Sequence, residues 1–325
     1  MSRRRVLITG VSGQDGGYLA EQLLAGGDEV LGAARSPQDA FEQAGLEALA
    51  GRVPLLSMDL LDPASIRRAV AEAAPDEIYH LAAPTFVPDS WEDPTEAMTA
   101  IAGGTATLLA AAGDAARVLV ATSSEIFGDA GVSPQDESSP MRPRSPYGVA
   151  KLAAHGLVGT LRAHHGRFLV SAITYNHESP RRPERFLPRK VSAGVAAIAA
   201  GRAETLTLGS LDAVRDWSHA RDVVAGMVLA LRHDEPGDYV LASGVGRTVE
   251  QLVDAAFAAA GVARRLPDGR DRVEVDPRFV RPPERWPPVG DPSRARSALG
   301  WEPRVAFEQL VAEMVEADMA RLAAA

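Results

Sequence analysis

The sequence predicts an α/β protein with a Rossmann-type doubly wound parallel sheet, followed by a smaller lobe of mixed α/β structure. Short apolar, β-branched segments alternate with longer helical segments from RVLITG near the start to FLVSAITYN. Strict alternation of strand and helix is typical of a parallel sheet with helices on both faces. After Asn176 the alternation gives way to loops rich in proline and arginine. We therefore expect one domain at 1–176 and most of a second lobe at 177–325, with some strands and helices interchanged between them.

The elements of the first domain follow one another in strand–helix order. Its predicted strands are RVLITG, EVLGAA, VPLLSMDL, DEIYHLAA, RVLVATSS and FLVSAITYN. Its helices are predicted at GYLAEQLLAGG, after Pro37, at SIRRAVAEAA, near 95–112 and at about 146–165. Later in the chain we expect the short strands TLTLG and DYVLAS, helices near 219–232 and 248–260, a proline-rich segment, and a final amphipathic helix.

Composition and charge exclude several classes of protein. The chain has 325 residues, 46% of them hydrophobic, which suits one large domain with a smaller appendage. Its formal net charge is −9, whereas binding to nucleic acid depends on broad positive surface, so we expect no nucleic-acid partner. It has no cysteine, and its seven histidines lack metal-ligand spacing, so neither disulfides nor a metal site are expected. No apolar segment reaches membrane-spanning length, so we expect a cytoplasmic protein without a membrane partner.

A glycine-rich motif, GVSGQDG, joins the first strand to the first helix. Gly10, Gly13 and Gly16 form a GxxGxxG pattern, and Gln14 and Asp15 lie within it. Glycines let the backbone approach a diphosphate, and the helix N-terminus supplies amide donors and a favourable dipole. The alternative is a tight strand-to-helix turn without a ligand. Because the motif lies in a βαβ context, we predict that it binds a dinucleotide.

The end of the second strand indicates which dinucleotide is bound. EVLGAA lacks the acidic residue that would bind a ribose 2′-hydroxyl and continues with Arg35, whose guanidinium favours a 2′-phosphate. The expected cofactor is NADP, although the alternative for Arg35 is an ordinary exposed arginine. Asp59, at the end of the third strand, could accept a hydrogen bond from adenine or, equally well, cap the helix after Pro63. The other predicted cofactor contacts, beside the third and fourth strands, are Leu60 and Leu81.

Two further motifs, TSSEIFG and SPYGVAK, carry acid–base chemistry. Tyr147 and Lys151 are four residues apart on a predicted helix, so both side chains share one face. A phenol acts as a base at neutral pH when cations stabilise its phenolate, as Lys151 and an oxidised nicotinamide would. Period-two alternation places Ser123 and Glu125 on one side of the fifth strand, where Ser123 would bind the substrate oxygen that Tyr147 shares. Glu125 is either a proton-transfer group or a solvated loop carboxylate.

Several segments together resemble the extended short-chain dehydrogenase/reductases and, among them, the GDP-mannose 4,6-dehydratase family. These segments are GVSGQDGGYLAEQLL, TSSEIFG, SPYGVAK, NHESPRR, LDAVRDWSHARD, VDPRFVRPPE and GDPSRARSALGWEP. The resemblance covers nearly the whole chain. It implies an enzyme that acts on a nucleotide sugar held in the smaller lobe.

The resemblance also implies which residues hold the substrate. The diphosphate of a GDP-sugar would meet the basic stretch NHESPRRPERFLPRK, and arginine forks suit phosphate oxygens bidentately. By position, the contacts to the diphosphate or sugar would be Asn176, Arg182, Lys190, Arg215 and Arg281, and the contact to the ribose hydroxyls would be Glu284. The alternatives are solvated charges for Arg181 and Arg185, an ion pair with Asp216 for Arg215, and core packing for Trp217.

The activity that the resemblance implies is an NADP-dependent GDP-hexose 4,6-dehydratase, a hydro-lyase, with GDP-mannose as the leading substrate. Tyr147 would take the proton of the C4 hydroxyl, and Glu125 would remove the C5 proton and help to expel the C6 hydroxyl. The family usually reads LAAQSHV where this chain reads LAAPTFV, so Thr85 becomes a substrate contact and the sugar stays open. The alternatives are a GDP-sugar epimerase or reductase, a dehydratase of another GDP-hexose or a heptose, and a non-catalytic NADP-binding sensor. A homodimer is expected, with a homotetramer as the alternative.

Overall fold

The computed structural model describes residues 3–280 and 285–324 and contains twelve described strands. These strands are β1 Arg5–Thr9, β2 Glu29–Ala34, β3 Leu55–Ser57, β4 Glu77–His80, β5 Arg117–Ala121, β6 Leu169–Thr174, β7 Asn176–Glu178, β8 Leu206–Leu208, β9 Val214–His219, β10 Asp238–Leu241, β11 Gly246–Thr248 and β12 Val273–Val275. The α-helices are α1 Gln14–Ala25, α2 Ala40–Gln43, α3 Pro63–Ala73, α4 Asp89–Glu92, α5 Pro94–Ala97, α6 Gly104–Ala112, α7 Pro146–His165, α8 Leu187–Ala199, α9 Ala220–Arg232, α10 Val249–Ala260, α11 Ser293–Leu299 and α12 Phe307–Ala324. Short 3₁₀ helices lie at Glu47–Leu49, Ser124–Ile126 and Pro277–Phe279, and a π-helical segment at Met98–Gly103.

Seven parallel strands form the main sheet, in the order β10-β6-β5-β4-β1-β2-β3. In the centre of the sheet, Leu7 of β1 aligns with Leu31 of β2 on one side and with Ile78 of β4 on the other. The strand order reverses between β1 and β4, and open α/β sheets bind ligands outside the carboxyl ends of the strands at such a point. The predicted Rossmann-type sheet is confirmed, and its reversal point lies at the glycine motif.

Helices cover both faces of the main sheet. On one face α1 and α9 pack through side chains such as Leu19 and Val224. On the other face α3, α6 and α7 pack through side chains such as Ile66, Leu108 and Val158. Because both faces are covered, the strands can be apolar along their whole length, and all six residues of β6 are buried.

The smaller lobe is built around α8, α10 and α12, which pack on β8 and β12. Its core contains side chains from each of these helices, including Val195, Phe257 and Val315. A second small sheet contains β7, β9 and β11, with β7 parallel and β11 antiparallel to β9. Since β7 begins two residues after β6 ends, the small sheet continues directly from the main one.

Two elements beyond residue 176 belong to the layers of the main sheet. β10 pairs with β6, aligning Tyr239 with Ala172, and α9 packs against α1 and β6. The chain therefore leaves the large lobe after β6 and returns to it through α9 and β10. The division into lobes at residue 176 stays a prediction, and these two elements lie on the far side of it.

Some helices differ in detail from the predicted ones. The helix predicted near 95–112 is divided into α5, the π-helical segment and α6. The helix predicted after Pro37 is only α2, of four residues, and Gly45, with φ +65°, follows its end. Within residues 3–280 and 285–324, every helix is too short or too polar to cross a bilayer.

Candidate active site

The glycine motif forms a tight turn between β1 and α1. Gly10 has φ +72°, a left-handed value that favours glycine, and a side chain there would lie 2.9 Å from the backbone of Ala82. A side chain on Gly16 would lie 2.3 Å from the carbonyl oxygen of Gly10. Gly13 is the N-cap of α1, and no side chain among the described residues caps it. The turn therefore presents the N-terminus of a 12-residue helix to an anion, which fits the diphosphate of a dinucleotide.

The residues predicted to contact the adenosine half of the cofactor follow β2, β3 and β4. Arg35 comes directly after β2 and is exposed. The Asp59 carboxylate accepts the N–H of Leu61 at 2.9 Å. The capping alternative for Asp59 is wrong, because Asp62 caps α3 instead. Two half-buried side chains lie after β3 and β4, Leu60 and Leu81.

Tyr147 and Lys151 are buried one turn apart on α7. The Nζ of Lys151 donates to the carbonyl oxygen of Ala121 at 2.7 Å and lies 5.8 Å from the centre of the Tyr147 ring. Burial lowers the pKa of Lys151 to about 8. Burial raises the pKa of Tyr147 to about 12, although a hydrogen bond with Ser123 acts in the opposite direction. At neutral pH, Tyr147 is therefore a phenol in the protein alone, and Lys151 keeps most of its positive charge.

Ser123 and Glu125 lie in and beside the 3₁₀ helix Ser124–Ile126, and the prediction that they lie on β5 is wrong. Ser123 is the N-cap of this helix, and its Oγ accepts the N–H of Glu125 at 3.2 Å. Such local side-chain bonds compete with strand hydrogen bonding, so β5 ends at Ala121. Ser145, the N-cap of α7, donates to the Glu125 carboxylate at 3.5 Å. The turn thus brings Glu125 to the end of the helix that carries Tyr147.

The side chains of Gln14 and Asp15 connect the glycine motif to β7. Gln14 donates to the carbonyl oxygen of His177 at 3.0 Å and accepts the hydroxyl of Ser179 at 2.8 Å. Asp15 Oδ2 lies 2.8 Å from Nε2 of His177. Nδ1 of the same ring lies 2.7 Å from the carbonyl oxygen of Tyr175. Because both partners are acceptors, both ring nitrogens of His177 carry protons, and the histidine forms an ion pair with Asp15.

Electrostatics favour the same protonation states. Burial alone would lower the pKa of His177, but the Asp15 carboxylate raises it above its usual value. Burial alone would raise the pKa of Asp15, but the charge and hydrogen bond of His177 hold it below its usual value. His177 is not among the residues predicted from the sequence. Its signal was a histidine beside Asn176, inside a segment already predicted to bind an anion.

Two arginines of the basic stretch have partners in the large lobe. Arg181 binds Glu21 of α1 at 2.6 Å. Arg185 binds Asp89 of α4 at 2.9 Å, and both of these side chains are about half exposed. The alternative that both arginines are only solvated charges is therefore wrong. They join the basic stretch to the lobe that carries the glycine motif.

Two other arginines of the basic stretch form ion pairs, one with α12 of the smaller lobe and one with a residue of the stretch itself. Arg189 binds Asp318 of α12, and both side chains are nearly buried. Arg189 therefore joins α8 to α12. Arg182 Nε lies 3.2 Å from Glu178, whose side chain is 3% exposed. The Arg182 side chain itself is 19% exposed, so part of it reaches solvent at the junction of the lobes.

The remaining predicted substrate contacts lie on several elements. Asn176 begins β7 and is half-buried, Lys190 is in the first turn of α8, and Thr85 is exposed in the loop after β4. Lys190 Nζ lies 5.4 Å from the ring centre of Phe279. Two predicted contacts, Arg281 and Glu284, lie outside the described residues.

Strand β9 carries Arg215 next to a buried aspartate and a buried tryptophan. Arg215 donates to the carbonyl oxygen of Val214 at 2.6 Å. Asp216 is fully buried and accepts hydrogen bonds from neighbouring loops at Ser243, Gly244 and Gly290. Trp217 stacks on Phe307 in the core of the smaller lobe, so its core-packing alternative is confirmed.

Comparison with known proteins identifies the family. The family model described as GDP-mannose 4,6 dehydratase matches residues 7–314. The chain belongs to the GDP-mannose 4,6-dehydratase family. Relatives named GDP-mannose 4,6 dehydratase from Cricetulus griseus and Homo sapiens are each 40% identical to it, over 98% of this chain and 92% of theirs. A GDP-mannose 4,6-dehydratase of Vibrio cholerae is 37% identical, over 98% of this chain and 94% of its own.

Solved structures resemble this member of the GDP-mannose 4,6-dehydratase family over nearly its whole length. RMD from Pseudomonas aeruginosa, solved with NADPH, matches with a TM-score of 0.80 and 26% identity, over 98% of this chain and 99% of that one. Thermus thermophilus UDP-glucose 4-epimerase, solved with NAD, matches with a TM-score of 0.80 and 26% identity, over 97% and 98%. The family is enzymatic, and the fold and glycine turn support a nicotinamide dinucleotide as cofactor.

Proposed function

We propose that this chain is an NADP-dependent GDP-mannose 4,6-dehydratase, which converts GDP-mannose to GDP-4-keto-6-deoxymannose with loss of water. Family membership over residues 7–314 supports the class of reaction. The observation that carries the proposal is the position of Glu125, in the turn that begins at Ser123 and beside the helix of Tyr147. Oxidation of a hydroxyl needs one base, whereas elimination of water needs a second proton-transfer group.

Tyr147 and Ser123 carry the first proton transfer. A nicotinamide group, when bound, supplies the acceptor for the C4 hydride and later the donor of hydride to C6. Ser123 holds the C4 oxygen, and Tyr147 takes its proton. Since burial raises the pKa of Tyr147 to about 12, the phenolate needs nearby positive charge. Lys151, held by the carbonyl oxygen of Ala121, provides it from the next turn of α7.

Glu125 carries the second proton transfer. A ketone at C4 acidifies the proton at C5, and the Glu125 carboxylate removes it. The same carboxyl group then gives a proton to the C6 hydroxyl, so the C–O bond breaks and water leaves. The hydroxyl of Ser145, at the N-terminus of α7, donates to the Glu125 carboxylate at 3.5 Å and orients it.

The preference for NADP is proposed from Arg35. Its guanidinium stands exposed at the end of β2, where an enzyme that prefers NAD carries an acidic residue for the ribose. An arginine at this place pairs with a 2′-phosphate through charge-assisted hydrogen bonds. Gly10, Gly13 and Gly16 would hold the diphosphate of the same cofactor. The other proposed cofactor contacts are Gln14, Asp15, Asp59, Leu60 and Leu81.

The GDP diphosphate is proposed to bind at the basic stretch. Arg182 supports this, because its partly exposed guanidinium lies beside β7, which the glycine motif holds through His177. Lys190 is the last residue of the same stretch and lies in the first turn of α8. The further substrate contacts proposed by position are Thr85, Asn176, Arg215, Arg281 and Glu284.

A homodimer is proposed as the working assembly, with a homotetramer as the alternative. Large apolar side chains are exposed on adjoining elements: Trp91 on α4, Met98 in the π-helical segment and Val149 on α7. Exposed apolar groups on neighbouring elements are typical of protein–protein interfaces. Analytical ultracentrifugation of the purified protein measures the assembly, and a monomer at micromolar concentration would contradict the proposal.

Incubation with a panel of nucleotide sugars tests the proposed reaction. The panel contains GDP-mannose, another GDP-hexose, a GDP-heptose and a UDP-hexose, each with NADP⁺, and mass spectrometry follows the products. We expect GDP-mannose to give a product lighter by one water. A product of unchanged mass but inverted configuration would instead identify an epimerase. If only a different GDP-sugar were dehydrated, the assigned substrate would change and the assigned class of reaction would stay the same.

A further inference from the structure

An aromatic contact joins the loop after β4 to the basic stretch, and no step of the proposed reaction uses it. The rings of Phe86 and Phe186 lie 5.4 Å apart at 86°, an edge-to-face pair. Phe86 follows β4 in the large lobe, whereas Phe186 is the N-cap of α8 in the smaller lobe. The pair therefore bridges two segments that are both predicted to line the substrate site.

Two arginines extend this contact on either side. The guanidinium carbon of Arg185 lies 4.4 Å from the ring centre of Phe86, and Arg185 also binds Asp89 at 2.9 Å. The guanidinium carbon of Arg182 lies 3.6 Å from the ring centre of Phe186. We call Phe86, Phe186, Arg182, Arg185 and Asp89 the aromatic clasp.

Two groups contact the Arg182 guanidinium, the ring of Phe186 and the carboxylate of Glu178. Arg182 Nε lies 3.2 Å from Glu178, but within the described residues neither this nitrogen nor Oε2 of Glu178 forms a hydrogen bond of good geometry. The ring of Phe186, by contrast, covers the guanidinium at close range. A guanidinium whose carbon lies over a ring still has N–H groups that can bind phosphate oxygens.

We propose that Phe86 is a positioning residue for the substrate diphosphate. Its ring packs edge-to-face on Phe186 and fixes the position of that ring. Phe186 in turn holds the Arg182 guanidinium where the diphosphate binds. This inference rests on the proposed function, in which Arg182 contacts that diphosphate. An arginine whose rotamer is already restricted loses less entropy on binding, so the brace raises affinity without touching the ligand. Phe86 lies in the segment LAAPTFV that follows β4.

Calorimetry with GDP tests the chain of contacts in a double-mutant cycle. Arg182→Ala should weaken GDP binding about 10- to 100-fold, because it removes a charged phosphate contact. Phe86→Ala should weaken GDP binding about 3- to 10-fold, the scale of one edge-to-face pair. In the Arg182→Ala background, Phe86→Ala should have no further effect. Phe86→Tyr keeps the ring and should restore wild-type affinity.

Controls separate positioning from general damage. Phe168→Ala removes another ring beside an arginine, 3.9 Å from Arg117 where β5 and β6 begin, and should leave GDP affinity unchanged. Phe86→Ala should leave cofactor affinity and the thermal midpoint near wild type. With GDP-mannose it should raise KM and change kcat less than about twofold, because ground-state and transition-state binding fall equally. If Phe86→Ala fails to fold, Phe86→Leu carries the same test.

Each outcome of the cycle decides one question. Wild-type GDP affinity in Phe86→Ala, with a loss in Arg182→Ala, would overturn the clasp and leave the proposed function standing. A loss in Phe86→Ala that persists in the Arg182→Ala background would show that Phe86 acts by another route. Failure of Phe86→Tyr to restore affinity would also overturn the brace. Wild-type affinity in Arg182→Ala would remove Arg182 from the proposed diphosphate site, and the clasp with it.

Discussion

Burial keeps the Tyr147 phenol protonated unless a nearby positive charge stabilises its phenolate. Burial raises its pKa to about 12, and burial lowers the pKa of Lys151 to about 8. Below that pH, Lys151 carries the charge that stabilises a phenolate on the same helix. As the pH rises through about 8, the ammonium loses its proton and this support is lost. The first proton transfer is therefore matched to neutral pH.

Glu125 separates a dehydratase from an enzyme that only oxidises and reduces. Glu125→Gln keeps the shape and hydrogen bonding of the side chain but removes proton transfer, so dehydration should fall about 10²- to 10⁴-fold. Oxidation at C4 should survive, because Tyr147 and Ser123 are unchanged. We expect mass spectrometry to detect a 4-keto sugar that keeps its C6 hydroxyl. In deuterated solvent, the variant should not exchange the C5 proton.

Asp129→Asn provides the matched control for Glu125→Gln, since Asp129 is an exposed carboxylate just beyond the same turn. It should dehydrate GDP-mannose like the wild type. Tyr147→Phe should give neither the 4-keto sugar nor the product. Wild-type dehydration in Glu125→Gln would show that another group removes the C5 proton.

Arg35 decides between the two nicotinamide dinucleotides in the proposed site. Arg35→Ala removes a charge that only the 2′-phosphate uses, so affinity for NADP⁺ should fall about 10- to 100-fold, and affinity for NAD⁺ less than about twofold. Fluorescence titration with each cofactor measures both constants. Arg52→Ala, an exposed arginine of the same lobe, is the control and should change neither. Equal losses for both cofactors would refute the assignment to NADP.

α1 and β7 are joined by the partly buried ion pair of Asp15 and His177, whose stabilising effect is lost at both high and low pH. The pKa of His177 is raised above 6.5 by Asp15, despite burial, so its contribution to stability is complete below 6.5 and is lost as the pH rises through the raised value. The pKa of Asp15 is lowered below 3.8, so its contribution is complete above 3.8 and is lost as the pH falls through the lowered value. The pair therefore stabilises the junction most between these limits.

His177→Gln should lower the free energy of unfolding by about 2 kcal/mol near pH 6, because it leaves the Asp15 carboxylate without its partner. The difference from wild type should shrink as the pH rises past the raised pKa of His177, where the wild type loses the pair as well. Urea unfolding at a series of pH values measures this. His165→Gln, on the exposed end of α7, should show no such dependence. A difference that stays constant up to pH 9 would contradict the ion pair.

Elements with local signals were predictable, and elements that depend on distant pairing were not. Helix α7 matches its predicted span of 146–165 because residues at its two ends determine where it begins and ends. Ser145 caps it, Pro146 begins it, and Gly166 ends it in a left-handed conformation. The predicted strand RVLVATSS ends early, at Ala121, and a turn capped by the Ser123 side chain follows it. No local signal shows that β10 completes the main sheet beside β6.

The same limit applies to the site. The glycines and the Tyr147–Lys151 pair were found because each motif is short and periodic. The partners that hold the site together are far apart in sequence: Asp15 and His177 are separated by 162 residues. Such contacts depend on how the two lobes meet, and a single sequence carries no record of that.

Ion pairs also hold α9 in the large lobe, at the end of the sheet where β4 begins. Arg232, at the end of α9, binds Asp28 at 2.6 Å and Glu77 at 2.9 Å, and both carboxylates are nearly buried. Arg4 reaches the same Glu77 at 3.2 Å. Buried charges of this kind are costly without their partners. The return of the chain through α9 therefore completes the charge balance of the first strands as well as their packing.

The predicted domain 1–176 should not fold by itself, because it ends before α9 and β10. Helix α9 buries four large apolar side chains against the large lobe, Val223, Val224, Met227 and Leu231. At about 1.5–3 kcal/mol for each buried side chain, their loss costs about 6–12 kcal/mol, comparable with the whole stability of a typical domain. Strand β6, buried along its whole length, would also lose its neighbour β10 and expose an apolar edge.

We expect fragment 1–176 to be aggregated or to lack a cooperative thermal transition by circular dichroism. Co-expression with 177–325 should restore a soluble complex that binds cofactor. A fragment 1–176 that unfolded cooperatively and bound cofactor alone would instead establish residue 176 as an autonomous boundary.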